Sequence, residues 1–321
     1  MGLRDLSVNQ QVALLFVVMF GALLLALVGW FAMSLREMSD AARVRHARFG
    51  RDLRALWLGA VIFWLAWMSG AIGATLLFGI VSFLALREFI TLMHTRRGDH
   101  RGLILAFFVV LPLQYVFAGG RWFDLFTVFI PVYVFLAIPV ASALAGDPQR
   151  FLERNAKIQW GIMVCVYGIS HAPALLLLEF PNVAGRGAFL LFFLVVVSAV
   201  AQIVQEAASR RLRALPAARH IDRSFSARAW WLGVIAAAVV GAAMYWTTPF
   251  KPLQALVLAA LAAGAGTLGQ LVMQALKRDA GVATWGNARS VTGAVGLLDR
   301  IAPLAFSAPI FFHLTRWYFR V

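Results

Sequence analysis

Residues 253–314 read LQALVLAALAAGAGTLGQLVMQAL, then KRDAGVATWGNARSVTGAVGLLDR, then IAPLAFSAPIFFHL: two apolar segments joined by a polar, glycine-bearing loop. The segments to which they belong, 253–276 and 297–318, are each long enough to cross a hydrocarbon layer about 30 Å thick. A loop holding Lys277, Arg278, Asp279, Asp299 and Arg300 at such a junction is costly unless it meets something polar. The same alternation recurs along the chain. Ten apolar segments lie at about 10–35, 54–69, 71–94, 102–118, 123–145, 157–178, 186–208, 230–248, 253–276 and 297–318. The expected fold is therefore all-α, a polytopic integral membrane protein of about nine to ten transmembrane helices. One integral domain, 1–321, is the simplest division, with N-terminal helices over about 1–145 and a second half over about 146–321.

Composition agrees. Of the 321 residues 62% are hydrophobic and only 13% charged, against roughly 25% in soluble domains; mean hydropathy is +0.81. The net charge of +15 would suggest nucleic acid in a soluble chain. Here cytoplasmic loops rich in Arg and Lys account for it, so no nucleic-acid partner is expected. If the first loop faces the cytoplasm, Arg4, Arg121, Arg186, Lys251, Arg316 and Arg320 fall outside and Arg87 lies within a segment. The other 22 of the 29 cations fall inside, which places both termini away from the cytoplasm. The expected location is a bacterial inner (plasma) membrane, with the main polar loops cytoplasmic. The single cysteine, Cys165, sits in an apolar segment, so a disulfide within one chain is excluded.

Several polar residues sit inside or beside these segments. Arg87 and Glu88 in LALREFITLM need partners or a wet cavity: either an ion pair with a neighbouring helix or the wall of a headgroup cavity. Gln202, Gln205 and Glu206 fall on adjoining turns and could line one face. His171 and Pro173 interrupt the sixth segment; a lone histidine there is more often a hydrogen-bonded structural residue than a ligand or base. The loop SRRLRALPAARHIDRSFSAR (209–228) is an ordinary basic loop beside anionic headgroups, or a floor for a phosphorylated substrate.

The quoted loop resembles the signature of the phosphatidate cytidylyltransferases (CDP-diacylglycerol synthases), S-x-x-K-R, four residues, K-D-x-G, then P-G-H-G-G-x-x-D-R-x-D. Lys277, Arg278, Gly286, Gly293, Gly296, Asp299 and Arg300 match it, and Gly269–Gln270–Leu271 stands where the family has G-D-L. Similarity to the bacterial branch extends over ALREFITL (85–92), LPLQY (111–115), FIPVYVFL (129–136), FLERNAKIQWG (151–161), YGISHAPALLL (167–177) and SAPIFFHL (307–314). The departures fall on charged positions. The K-D pair is Ala283–Thr284, H-G of H-G-G is Ala294–Val295, and the second aspartate of D-R-x-D is Ala302. The aspartate of G-D-L is Gln270, and the signature serine is Gln274. A further motif, S-P-x-K-T-W-E-G, aligns with Ser226–Gly233 and keeps its serine, tryptophan and glycine but not its Lys, Thr and Glu; a family aspartate aligns with Gln205.

The resemblance implies transfer of a cytidylyl group from CTP to phosphatidic acid with release of pyrophosphate. That chemistry needs divalent metal, Mg²⁺, held by carboxylates and cations on the phosphate oxygens. Asp299 is the metal ligand carried over by motif; Glu206 and Asp279 are further metal candidates. Lys277, Arg278, Arg300 and Arg228 are candidates for a lipid headgroup or phosphate, and Lys277, Arg278, Asp299 and Arg300 are the residual catalytic candidates. These four also suit the helix dipoles as simple end groups. The expected function is a family member with impaired catalysis that binds a lipid headgroup or regulates a lipid enzyme. The alternatives are a weak or altered CDP-lipid synthase and a lipid or solute carrier. Implied partners are phosphatidic acid or a CDP-lipid, CTP, a lipid-synthesis enzyme and a second copy in a homodimer.

Overall fold

A computed structural model describes residues 8–35, 39–91, 95–180, 187–212, 215–222, 225–282, 285 and 296–320. The described residues form ten helical rods. They are α1 (Val8–Ser34), α2 (Asp40–Met68), α3 (Gly70–Thr91), α4 (Arg97–Gly119) and α5 (Phe123–Ala143), followed by α6 (Phe151–Leu176), α7 (Gly187–Leu212), α8 (Ala227–Ala243), α9 (Pro252–Asp279) and α10 (Leu297–Phe319). Eight helices are long and apolar enough to cross a membrane; the apolar part of α2 (Gly59–Met68) and α8 are shorter. The all-α polytopic reading holds, and the two short rods are the second and eighth apolar segments. The sixth segment begins at Phe151, ahead of position 157, because the amphipathic FLERNAKIQWG continues the same helix.

Prolines shape these rods without breaking them. Pro173 does not end α6, which runs through it to Leu176 after a π-helical turn at Met163–Gly168. Similar turns at Ala106–Val110 and Phe129–Val134 precede Pro112 and contain Pro131. A proline cannot donate to the residue one turn back and collides with its carbonyl. A locally wider turn relieves that collision while keeping backbone groups paired, as a helix in lipid requires.

The chain divides into two compact units, Met1–Gly70 and Ala71–Val321. In the first, α1 and α2 form a hairpin. Trp30 stacks on His46 with ring centroids 4.9 Å apart, and its indole N–H donates to the His46 carbonyl at 3.2 Å. In the second, α7, α8, α9 and α10 pack in sequence, and α10 lies against α6. Its core sets Phe126, Phe193, Phe250, Phe311 and Phe312 against Ala237, Ala255, Ala259, Ala263 and Ala308. Small residues let the helices approach closely, the mode that serves where lipid offers no hydrophobic drive. A Cβ on Gly233 would stand 2.6 Å from the Ala201 carbonyl oxygen, and one on Gly269 would overlap the Phe306 ring.

Candidate functional site

The signature residues gather where α9 ends and α10 begins. The sequence KRDAG stops α9: Gly281 takes φ +68°, the Val282 N–H donates to the Lys277 carbonyl and the Gly281 N–H to that of Arg278. This closure places a left-handed glycine one residue past the helix. Gly296, at φ +70°, opens α10 in the same backbone region, with Trp285 O 3.3 Å from where its Cβ would be. Two glycines thus fix the departure and return of the loop.

Between those ends the Lys277 ammonium meets the Asp299 carboxylate at 2.5 Å. The lysine is buried, with 7% of its side chain exposed, while Asp299 is half-buried at 35%. Glu88, buried on α3, accepts from the Leu297 N–H at 2.9 Å and so caps α10. A carboxylate on the first free amides of a helix satisfies orphan donors and the positive end of its dipole. Next to it Phe89 stacks on the buried Trp285, centroids 5.5 Å apart and rings 20° from parallel. Gly161 on α6 leaves the room that Phe89 occupies. Trp285 and the head of α10 are therefore both met by α3, and Gly161 of α6 makes room for Phe89.

The remaining sequence candidates fall as follows. Arg278 is exposed and its Nε donates to the Ile221 carbonyl at 3.3 Å, tying the basic loop to the end of α9. Arg300, Arg228 and Asp279 are exposed. Glu206 pairs with Arg210 one turn along the exposed flank of α7. Ala283, Thr284, Gly286, Arg289, Gly293, Ala294 and Val295 lie outside the described residues, as do Arg36, Arg213 and Arg223.

At two described positions where the motif alignment loses charge, the fold supplies apolar packing. Ala229 and Ala302 are fully buried, 0% and 1% exposed. Trp230, in place of the motif threonine, lays its ring beside Gly264 and donates its indole N–H to Thr267 Oγ1 at 2.9 Å. Gly233 survives because α7 passes directly against it. Among the described residues no three His, Cys, Asp or Glu side chains stand together as a metal-holding group. Positions 280–298 contain no Asp or Glu at all, so the signature loop brings no further carboxylate to Asp299. Asp299 is thus the one carboxylate that the motif carries toward the Mg²⁺ that the resemblance implies.

Two polar features escaped the sequence reading. Arg154, counted there as a loop cation, is buried and bridges Asp99 at 3.0 Å and Asp147 at 2.6 Å; the Arg96 N–H adds a bond to Asp99 at 2.8 Å. It locks the start of α6 to the start of α4. Asp147, in the loop before α6, has its carboxyl held below the ordinary carboxylate range by the Arg154 guanidinium. The signal was present as opposite charges in RGD (97–99), GDPQR (146–150) and FLERN (151–155), but only the fold shows which pair. The second feature is a polar chain inside the bundle. His171 Nδ1 bonds the Tyr167 carbonyl at 2.7 Å, the Tyr167 hydroxyl bonds His313 Nε2 at 3.0 Å, and Gln114 donates to Ser170 Oγ at 3.2 Å. His171 is thus a hydrogen-bonded structural residue among Phe126, Phe312 and His313.

Eight helices long and apolar enough to cross a membrane, with the Lys277–Asp299 pair and the Glu88 cap at the head of the last, define a polytopic membrane protein. Comparison with known proteins agrees. The profile of the Cytidylyltransferase family matches residues 49–318, and the chain belongs to that family, the phosphatidate cytidylyltransferases. It is also similar to the uncharacterized protein YnbB of Escherichia coli (strain K12), 35% identical over 270 residues that make up 81% of this chain and 85% of that relative.

Proposed function

We propose that this chain is a non-turnover member of the phosphatidate cytidylyltransferase family that holds an anionic lipid headgroup at its signature end and there serves a lipid-synthesis enzyme. One observation carries the reading: Asp299, the single carboxylate retained from the family's metal set, has its charge met by the buried Lys277. The motif positions Ala283, Ala294 and Ala302 bring no second charged group to it. Removing one preorganised electrostatic group costs on the order of 10²–10³ in rate, and several charged positions are apolar here. Arg278, Arg300 and Arg228 remain exposed at or beside the same end, and guanidinium groups suit phosphate oxygens. The distribution of cations supports a bacterial inner membrane with this end in the cytoplasm.

The test is a radiolabelled CTP and phosphatidic acid assay on purified protein with Mg²⁺ titrated, alongside thermal melting in micelles with and without phosphatidic acid. The reading expects no CDP-lipid, and a stabilisation by phosphatidic acid through mass action that Arg300→Gln erases. Turnover at family rates, or complementation of a strain lacking its own CDP-diacylglycerol synthase, would overturn it. A melting increment that is equal in Arg300→Gln would leave Lys277, Arg278, Asp299 and Arg300 as helix-end groups only.

A further inference from the structure

The opposite end of the bundle carries a second concentration of charge. Sequence counting leaves only six cations for that face, and three of them, Arg121, Arg316 and Arg320, converge around two adjoining open cavities of about 470 and 330 Å³. Both cavities are lined by Arg316 and Asp124; His313 and Arg320 complete the larger and Arg121 the smaller. Arg316 is half-buried, lies 5.6 Å over the Phe123 ring and pairs with Asp124 Oδ1 at 2.5 Å, while the Asp124 side chain is 96% exposed. Arg121 pairs with the largely exposed Glu179 at 2.6 Å. Asp124 is thus on the solvent side of a guanidinium that the fold anchors, so it can swing away from it.

Two further details point the same way. Arg121 and Arg320 hold φ of +60° and +53°, the left-handed region that costs an ordinary residue on the order of 1 kcal/mol. Neither is a glycine or asparagine that would relieve it. Trp122 and Trp317 stand exposed beside the cavities, as tryptophans do at headgroup depth. Lys251 starts α9, whose Gln254 bonds the Tyr318 hydroxyl of α10, at the same end.

We propose that this end is a binding site for a phosphate group carried by an anionic lipid of the adjoining leaflet, with Arg316 and Arg320 as the direct contacts and Asp124 as a competing internal anion. A phosphate offers Arg316 the charge-assisted contacts that Asp124 now makes, and the flanking tryptophans place the acyl chains in the bilayer. The site lies at the far end of the 23-residue α10 from Asp299 and is separate from the signature end.

The experiment is thermal melting and native mass spectrometry of the full chain in dodecyl maltoside, titrated with phosphatidylglycerol, phosphatidylcholine or inorganic phosphate. Phosphatidylglycerol should stabilise and be retained, phosphatidylcholine should not, and Arg316→Gln/Arg320→Gln should weaken retention about tenfold or more, a scale set by losing charged hydrogen bonds. Asp124→Asn should strengthen retention several-fold, since it removes the competitor; a variant that merely lost an ion pair would show no such gain. Equal stabilisation by inorganic phosphate would overturn the lipid assignment in favour of a soluble anion. Retention unaffected by the double substitution but lost in Arg300→Gln would place all binding at the signature end and refute this site. Should the double variant fail to express, the Asp124→Asn gain alone decides, and its absence refutes the proposal.

Discussion

Replacing Asp299 by Asn, Lys277 by Met, and both together tests the ion pair on which the functional reading rests. The two partners are unequal: Lys277 has 7% of its side chain exposed and Asp299 35%. Asp299→Asn leaves a buried ammonium without its counter-charge, a class of change that costs about 3–5 kcal/mol. Lys277→Met removes the buried charge and leaves a carboxylate that can hydrate and still faces the first turn of α10, where the helix dipole favours it by up to about 1 kcal/mol. About 1 kcal/mol of net loss is expected. The double substitution removes both charges and should resemble the lysine change, giving a coupling of about 3–5 kcal/mol in magnitude in a double-mutant cycle. For a unit of this size roughly 2–4 °C of melting temperature goes with each kcal/mol. Asp299→Asn should therefore melt about 6–20 °C low and the double variant only a few degrees low. The assay is loss of the monodisperse peak after heating in dodecyl maltoside. Equal shifts for the two single variants, or additive shifts in the double, would refute a buried-lysine clasp.

Gly269→Ala puts a methyl into the Phe306 ring; overpacking of this kind costs about 1–3 kcal/mol, read as a lower melting temperature with no change in lipid response. Asp147 contributes stability in its ionised form, because Arg154 lowers its folded pKa below the ordinary 3.8. That contribution is complete above about pH 4 and disappears as pH falls through the lower folded value, so Asp147→Asn should flatten the acid limb of a melting-against-pH profile; an unchanged limb would refute the pairing. A reporter fused after Arg228 should read cytoplasm and one after Val321 the opposite side; a cytoplasmic C-terminus would mean that one rod does not cross, and the short apolar part of α2 is the first to test.

The rods were legible because crossing a hydrocarbon layer demands long apolar runs. The loop ends were legible because Lys277 and Arg278 suit the close of a helix and Asp299 and Arg300 the start of the next. What joins the rods was not. Glu88 and Leu297 are 209 positions apart, and nothing in LALREFITLM says that its carboxylate serves a backbone amide rather than an arginine. Arg154 looked like a solvated loop cation because its two acids lie in separate connections, and charge counting is blind to burial. The π-turns were invisible since they change the phase of a helix without changing its composition. At the signature end the sequence showed which groups were missing, while only packing shows that Ala229 is buried and that Trp230 bonds Thr267.

The bond from Glu88 to the head of α10 bears on how this protein is divided. The signature lies wholly in the last third of the chain, which invites its treatment as a portable module with the earlier helices as mere anchorage. Yet α10 begins with an amide served by a side chain from α3, and the tryptophan of the loop rests on the neighbouring Phe89. A fragment starting after α5 would carry every signature residue and still lack the piece that seats them. Inheritance, transplantation or fusion of this signature therefore has to carry α3 along with it.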